Sequence, residues 1–200
     1  MAKKTKEKEE YIELKGLFGT ADDYHVYHMT KVDQLVACVM GFFVGAAVIF
    51  AFFRNPVFML VGGIVCAYIV PSYYNEYKRD SRLKRLREQF KDLLESLTAS
   101  YSAGRNTPDA FKDATDDMIS IYGDDADIVL ELQSICAGLG NNINIEQLLL
   151  DFAKRSGLDD VMSFANVFEV CNRQGSDLKR IVSDTRDIIN DKIEIEMEIE

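Results

Sequence analysis

Between Leu35 and Phe53 the chain runs through 19 consecutive residues without a charge, and between Val57 and Tyr74 through 18 more. A helix rises about 1.5 Å per residue, so the first run reaches roughly 28 Å, close to the hydrocarbon thickness of a bilayer. The strongly apolar part of the second run ends at Val70-Pro71, and Tyr68, Tyr73 and Tyr74 near its end suit an interfacial aromatic belt. Only Arg54, Asn55 and Pro56 separate the two runs, a spacing that predicts a tight turn between two antiparallel spans. A single kinked core helix of a soluble domain would need an all-round apolar environment that the polar remainder of the chain does not supply. The first run begins about 34 residues in and lacks a small-x-small cleavage signal, which argues for retained spans rather than a removed leader.

Beyond Asp80 the pattern changes to amphipathic helical spacing. Leu83, Leu86, Phe90, Leu93, Leu94, Leu97 and Tyr101 form one stripe, closed by Gly104 as a C-cap. Thr107-Pro108-Asp109 reads as N-cap, first helical residue and first-turn acid of a second helix, which carries Phe111, Ala114, Met118 and Ile121 and stops at Gly123. Asp124 or Asp125 opens a third, through Ile128, Val129, Leu132, Ile135 and Cys136, stopped by Gly138 to Gly140. A fourth follows Asn141-Asn142 through Ile145, Leu148, Leu149 and Phe152 to Gly157, and a fifth runs from Leu158 through Val161, Phe164 and Phe168 to Gly175. Ser176 or Asp177 caps a sixth, with Leu178, Ile181, Val182, Ile188 and Ile189. Ile193, Ile195, Met197 and Ile199 alternate with glutamates at a period of two. Glu and Met favour helix, and a helix directly precedes them, so this stretch is read as its continuation.

Connections of a few residues make sequential helices antiparallel neighbours. The expected fold class is therefore all-α: a two-helix transmembrane hairpin followed by a cytoplasmic antiparallel six-helix bundle. The expected domains are an N-terminal arm over 1–33, a hairpin over 34–74 with spans at about 35–53 and 57–74, and a helical domain over 75–200.

Charge gives the hairpin an orientation. The 200 residues carry 23 Lys+Arg and 33 Asp+Glu, a net charge of -10, yet residues 32–74 hold only Asp33 and Arg54. Residues 75–91 carry seven basic side chains (Lys78, Arg79, Arg82, Lys84, Arg85, Arg87, Lys91) against three acidic ones, and residues 92–200 carry nine against 23. With Lys3, Lys4, Lys6, Lys8, Lys15 and Lys31 in the arm and Arg54 alone in the turn, the positive-inside bias places both ends in the cytoplasm. The basic stretch Lys78–Arg87 reads as a topology anchor that also meets anionic headgroups. The acidic balance argues against nucleic acid as a partner. Cys38, Cys66, Cys136 and Cys171 have no metal-ligand spacing and read as reduced thiols. Gly41 and Gly45 form a G-x-x-x-G in the first run and Gly62-Gly63 lie in the second. Either an oligomer contact or packing of the two spans on each other satisfies that pattern.

Catalytic chemistry finds no footing: there is no P-loop, no G-x-S-x-G and no C-x-x-C, so no catalytic, cofactor-binding or metal-ligating residue is assigned and the chain is read as a non-enzyme. His25 and His28, at i and i+3 beside Asp22 and Asp23, read as a juxtamembrane polar segment rather than a metal site. The acid clusters Asp116-Asp117, Asp124-Asp125-Asp127 and Asp159-Asp160 read as helix-start residues and solvated faces, with docking on a basic partner surface as the functional alternative.

Three features carry a resemblance: two apolar runs ahead of a helical domain; the basic lead-in to Leu93-Leu94-Glu95-Ser96-Leu97 and Ser102-Ala103-Gly104-Arg105-Asn106-Thr107, followed by Ala110-Phe111; and the later pair Phe152-Ala153-Lys154-Arg155-Ser156-Gly157 and Asn172-Arg173-Gln174-Gly175-Ser176-Asp177-Leu178. Over about residues 35–200 the chain resembles the F-domain of type II secretion systems, and more narrowly the inner-membrane platform proteins of Tad (tight adherence) pili. The resemblance implies a multi-pass protein of the bacterial inner membrane whose cytoplasmic helices meet a hexameric secretion ATPase. It also implies assembly with pilin or pseudopilin and with a paralogous platform protein or a second copy, and a further pair of membrane spans after Glu200. A membrane-anchored helical signalling adaptor or scaffold unrelated to secretion is the alternative from the residues alone.

Overall fold

The structure, a computed structural model, describes residues 16–17, 23–24, 31–53, 56–174 and 178–199. The predicted Arg54-Asn55 turn, the Gly175–Asp177 stop and cap, and the His25/His28 pair lie outside the described residues. Seven helices follow one another: α1 Lys31–Phe53, α2 Pro56–Ser102, α3 Thr107–Tyr122, α4 Asp127–Gly140, α5 Ile145–Ser156, α6 Asp159–Gln174 and α7 Leu178–Ile199. Among the described residues no strand occurs, and the alternating C-terminal stretch is helical to Ile199.

The chain divides into two compact units, one formed by 25–85 and the other by 1–24 with 86–200. In the first, α1 and the early part of α2 pack through small residues. A Cβ on Gly41 would lie 3.0 Å from the Cys66 carbonyl oxygen, one on Gly45 would lie 2.6 Å from the Cys66 side chain, and Gly62 is filled by Ile49. Residue numbers rise along α1 as their partners' fall along α2, so the two helices run in opposite directions. The glycine pattern thus serves packing within the chain. Ala37, Gly41, Gly45, Ala46, Gly62 and Gly63 are buried, whereas Leu35, Phe43, Val44, Ile64 and Val65 face outward. Among the described residues one stretch, Val32–Phe50, is long and apolar enough to cross a membrane.

The second apolar run and the first amphipathic stripe are one helix of 47 residues, with Pro71 inside it. Proline has no N–H to donate and deprives the Ala67 carbonyl of its usual helical partner, at a cost of about 3 kcal/mol in a water-exposed helix.

The other unit is built in the opposite sense, from large side chains turned inward. Leu86, Phe90, Leu94 and Leu97 of α2, Phe111 and Met118 of α3, Ile128 and Leu132 of α4, Leu149 and Phe152 of α5, and Phe164 and Phe168 of α6 are all buried. Phe90 sits edge-on to Phe152 at 6.2 Å and to Phe164 at 5.7 Å. Phe164 tilts against Phe168 at 5.5 Å, and Phe168 meets Phe111 at 6.4 Å. Each edge-to-face pair adds about 0.5–1.5 kcal/mol beyond its buried area. This run of rings joins α5, α2, α6 and α3, and neighbours in sequence from α3 to α7 pack on one another.

Two helix boundaries differ from expectation. Asn106, not Thr107, caps α3: its side-chain oxygen accepts from the Asp109 N–H at 2.9 Å, which leaves Thr107 and Pro108 in the first turn, where a missing N–H is harmless. Asp124 and Asp125 lie in the turn before α4, whose extended cap residue is Ala126. α4 ends at Gly140, within the expected Gly138 to Gly140 stop. Gly138 is buried, and a Cβ there would sit 2.4 Å from Leu148, so the glycine sets the α4–α5 approach while Asn142, at φ 59°, makes the left-handed turn.

Candidate functional site: an acid-rimmed cleft between α2 and α3

Helical spacing brings Asp92, Glu95, Ser96 and Ala99 of α2 onto one face, since positions three and four apart are neighbours. Asp117, Met118, Ser120 and Ile121 of α3 lie opposite, and the two sets line a cleft of about 510 Å³. Ser96 donates its hydroxyl to Asp117 at 2.5 Å, tying the walls together at the middle. At one end the Tyr122 hydroxyl donates to Asp92, whose other oxygen lies 3.4 Å from Lys91 Nζ. Burial, and then the hydrogen bond and charge of Asp92, push the Tyr122 phenol up to about 12. Ile121 is 62% exposed at the rim, and the neighbouring Asp116 is exposed too. Carboxylates around an apolar floor accept hydrogen bonds from cationic side chains while the floor takes an apolar stem.

The three acid clusters separate in the structure. Asp117 lines the cleft with Asp116 beside it. Asp124 and Asp125 are exposed in the α3–α4 turn. Asp160, by contrast, is structural: it accepts from Arg87 Nε of α2 at 2.6 Å and from Lys192 Nζ of α7 at 2.9 Å. Among the described residues no group of three His, Cys, Asp or Glu side chains is placed to hold a metal. All four cysteines are free thiols, and Cys136 lies 3.5 Å from the Thr115 hydroxyl.

Compared with protein-family models, curated proteins and solved structures, the chain matches none.

A second polar cluster was not anticipated from the sequence. Glu131 of α4 and Arg155 of α5 form a two-pronged ion pair, Nη1 to Oε1 at 2.7 Å and Nη2 to Oε2 at 2.6 Å, with side chains 2% and 3% exposed. Arg155 Nε also donates to Asp151 at 2.8 Å, and the Tyr24 hydroxyl donates to Glu131 Oε1 at 2.9 Å. Burial alone would lower the affinity of Arg155 for its proton; the two carboxylates more than reverse that and hold it above its usual range. The sequence did carry a signal. Glu131 falls on the same helical face as Ile128, Leu132 and Ile135, and an acid inside an apolar stripe demands a buried partner.

Proposed function

We propose that the chain is a non-enzymatic platform component of a Tad or type II-like pilus assembly or secretion machine in the bacterial inner membrane. Its helical unit faces the cytoplasm and couples a hexameric secretion ATPase to pilin or pseudopilin. The observation that carries this reading is the continuity of α2, helical from the apolar stretch at its start to Ser102 without a break. A helix with no glycine or proline between Tyr74 and Ser102 transmits displacement better than a flexible linker. Two further facts support it. Only 22% of the most apolar window in α1 is buried, the reverse of a core helix in a soluble domain. The early part of α2, from Val57, has few charges and packs against α1, which fits a two-span hairpin with the basic stretch at its cytoplasmic end.

The α2–α3 cleft is the proposed ATPase contact, because carboxylates around an exposed isoleucine suit a basic surface with an apolar projection. A photo-crosslinking amino acid at Ile121, in cells carrying the whole machine, tests it. Capture of the ATPase, lost on Asp116→Lys/Asp117→Lys and weakened by salt, is the expected result. Capture of a soluble protein unrelated to secretion would instead favour the adaptor. Three glycines inserted after Glu76 should abolish assembly, and normal assembly would refute coupling through α2.

A further inference from the structure

The basic residues that the sequence groups together on α2 are sorted by the structure. Arg87 is turned to Asp160, which accepts from its Nε at 2.6 Å. Lys78 Nζ lies 5.5 Å from the centre of the Tyr74 ring, over its face. Arg79 donates from Nε and Nη2 to the Asp80 carboxylate at 3.1 and 3.0 Å. Lys84 and Arg85 are exposed. Three tyrosine rings are exposed on the same helix, Tyr68 at 87% and Tyr73 and Tyr77 at 70% each. Tyr73 and Tyr77 are four residues apart and Lys84 follows seven later, so the three share one face with Asp80, whose charge Arg79 offsets. Between Tyr73 and Arg85 the chain carries Lys78, Arg79, Arg82, Lys84 and Arg85 against Glu76 and Asp80. A phenol ring bared to water forfeits the burial of its apolar body. A layer that is apolar below and hydrogen-bonding above suits both ends of it.

We propose that this face of α2, Tyr73 and Tyr77 followed by Lys84 and Arg85, is a binding surface for the headgroups of anionic phospholipids. The proposal rests on the membrane reading given above, and distances along the helix carry it. At about 1.5 Å per residue, Tyr73 and Tyr77 stand roughly 24 and 30 Å beyond Val57, where the second apolar run starts. The hydrocarbon core is about 30 Å thick and each headgroup layer adds roughly 5–8 Å, so the two rings come at the boundary, the level at which phenols donate to lipid phosphate. Lys84 and Arg85 follow about 10–12 Å after Tyr77. Their long side chains reach back toward the surface, and the screening length is about 8 Å, so a negative headgroup layer lies within their field. Zwitterionic lipid offers the phenols the same phosphate but offers the cations no net charge. The tyrosines therefore set the depth and the cations set the preference for anionic lipid. A free phosphate ion would need an enclosing pocket, which two rings 70% exposed on a helix face do not make; a bilayer surface brings its own array of phosphates.

The chain contains no tryptophan, so a single one introduced by substitution reports its own surroundings. Tyr77→Trp and Phe43→Trp are each made in the full chain and reconstituted in phosphatidylcholine nanodiscs. A minor fraction of the lipid is brominated on its acyl chains and supplied either as phosphatidylglycerol or as phosphatidylcholine, and quenching of the indole is read. Phe43, 67% exposed on α1, should be replaced by an indole that both brominated lipids quench about equally. The indole at position 77 should be quenched through an association tighter for phosphatidylglycerol, by roughly fivefold for each cation in reach. Lys84→Gln/Arg85→Gln should bring that ratio close to one, and so should high salt. Equal quenching by the two headgroups at position 77, with quenching at position 43 intact, overturns the headgroup surface and leaves the membrane span standing. Absence of quenching at position 43 overturns the membrane reading and the surface with it. A preference that survives Lys84→Gln/Arg85→Gln places the selectivity elsewhere and overturns the surface as well.

Discussion

Replacing Arg155 with methionine leaves Glu131 buried with the Tyr24 hydroxyl donating to it and no cation beside it, whereas replacing Glu131 with glutamine leaves Arg155 its bond to Asp151 at 2.8 Å. The two ends of the pair should therefore differ in cost. Removing one partner of a buried pair typically costs about 3–5 kcal/mol, because an uncompensated charge stays behind. Arg155→Met meets that condition in full and belongs near the top of the range. In Glu131→Gln the amide oxygen still accepts from Tyr24 and from one guanidinium N–H, and Asp151 holds the charge, so about 1–2 kcal/mol is expected. The double variant Glu131→Leu/Arg155→Met removes both charges and should lie within about 2 kcal/mol of the native chain, which makes the cycle strongly non-additive. Thermal unfolding of the full chain in detergent reads this, with a thiol-reactive dye reporting the half-buried Cys136. At roughly 4 °C per kcal/mol for a unit of this size, Arg155→Met should lose well over 10 °C and Glu131→Gln about half that or less. Equal losses for the two single variants, or additive losses in the double, would refute the reasoning that an unpaired buried carboxylate dominates the cost.

Three other outcomes follow from the geometry. Tyr101, half-buried beside Thr107 at the start of α3, and Tyr122 both have phenols raised from 10.0 to about 12, so the fold favours their neutral forms. That stabilisation is complete below pH 10.0 and is lost as pH rises to about 12, because the unfolded chain releases its protons first; a phenolate absorbance titration should show Tyr101→Phe removing one late-titrating group. Asp160→Asn should cost about 1–3 kcal/mol through its close bond to the largely buried Arg87. Lys192→Ala should cost under about 1 kcal/mol, since that lysine is half exposed; denaturant midpoints separate the two. Gly45→Ala presses a methyl group against Cys66 and should destabilise the α1–α2 contact by about 1–3 kcal/mol, seen as faster alkylation of Cys66 mapped by mass spectrometry. Gly62→Ala meets only the flexible tip of Ile49 and should perturb it less.

Helix number and order in the 86–200 region were legible because the stripes of Phe and Leu repeat at the helical period and the connections are short. Boundaries were less so. Two adjacent residues such as Asn106 and Thr107 are both good caps, and only the backbone decides which one is extended. Glycine both ends helices and lets them approach, and α4 shows both: the helix ends at Gly140, while Gly138 sets the approach to α5, which the sequence pattern alone does not reveal. The acidic residues of the cleft were visible as clusters, but which of them share a concavity depends on the register of α3 on α2. The Glu131–Arg155 pair was harder still, since its members are 24 residues apart and are completed by a tyrosine 107 residues from Glu131. Long-range polar complementarity has no periodicity to read.

The two units follow opposite packing rules, and the contrast bears on where each sits. In the 86–200 region burial of Phe90, Phe111, Phe152, Phe164 and Phe168 removes large apolar surface from its surroundings, which stabilises a fold only if those surroundings are water. Around α1 the large side chains Leu35, Phe43 and Val44 point outward, and close approach is reserved for alanine and glycine. In water that arrangement forfeits the main driving force for association. In lipid, where hydrocarbon chains are as apolar as leucine, nothing is gained by hiding leucine, and backbone approach through small residues becomes the favourable contact. Pro71 fits the same logic, because the cost of a proline inside a helix falls where neighbouring backbone and side chains satisfy the freed carbonyl. The change of rule falls within a single helix, α2, inside the basic stretch Lys78–Arg87, where Leu86 is already buried. A helix that follows both rules along its length suits passage from lipid into water, and this bears on the membrane part of the proposal on grounds that owe nothing to sequence resemblance.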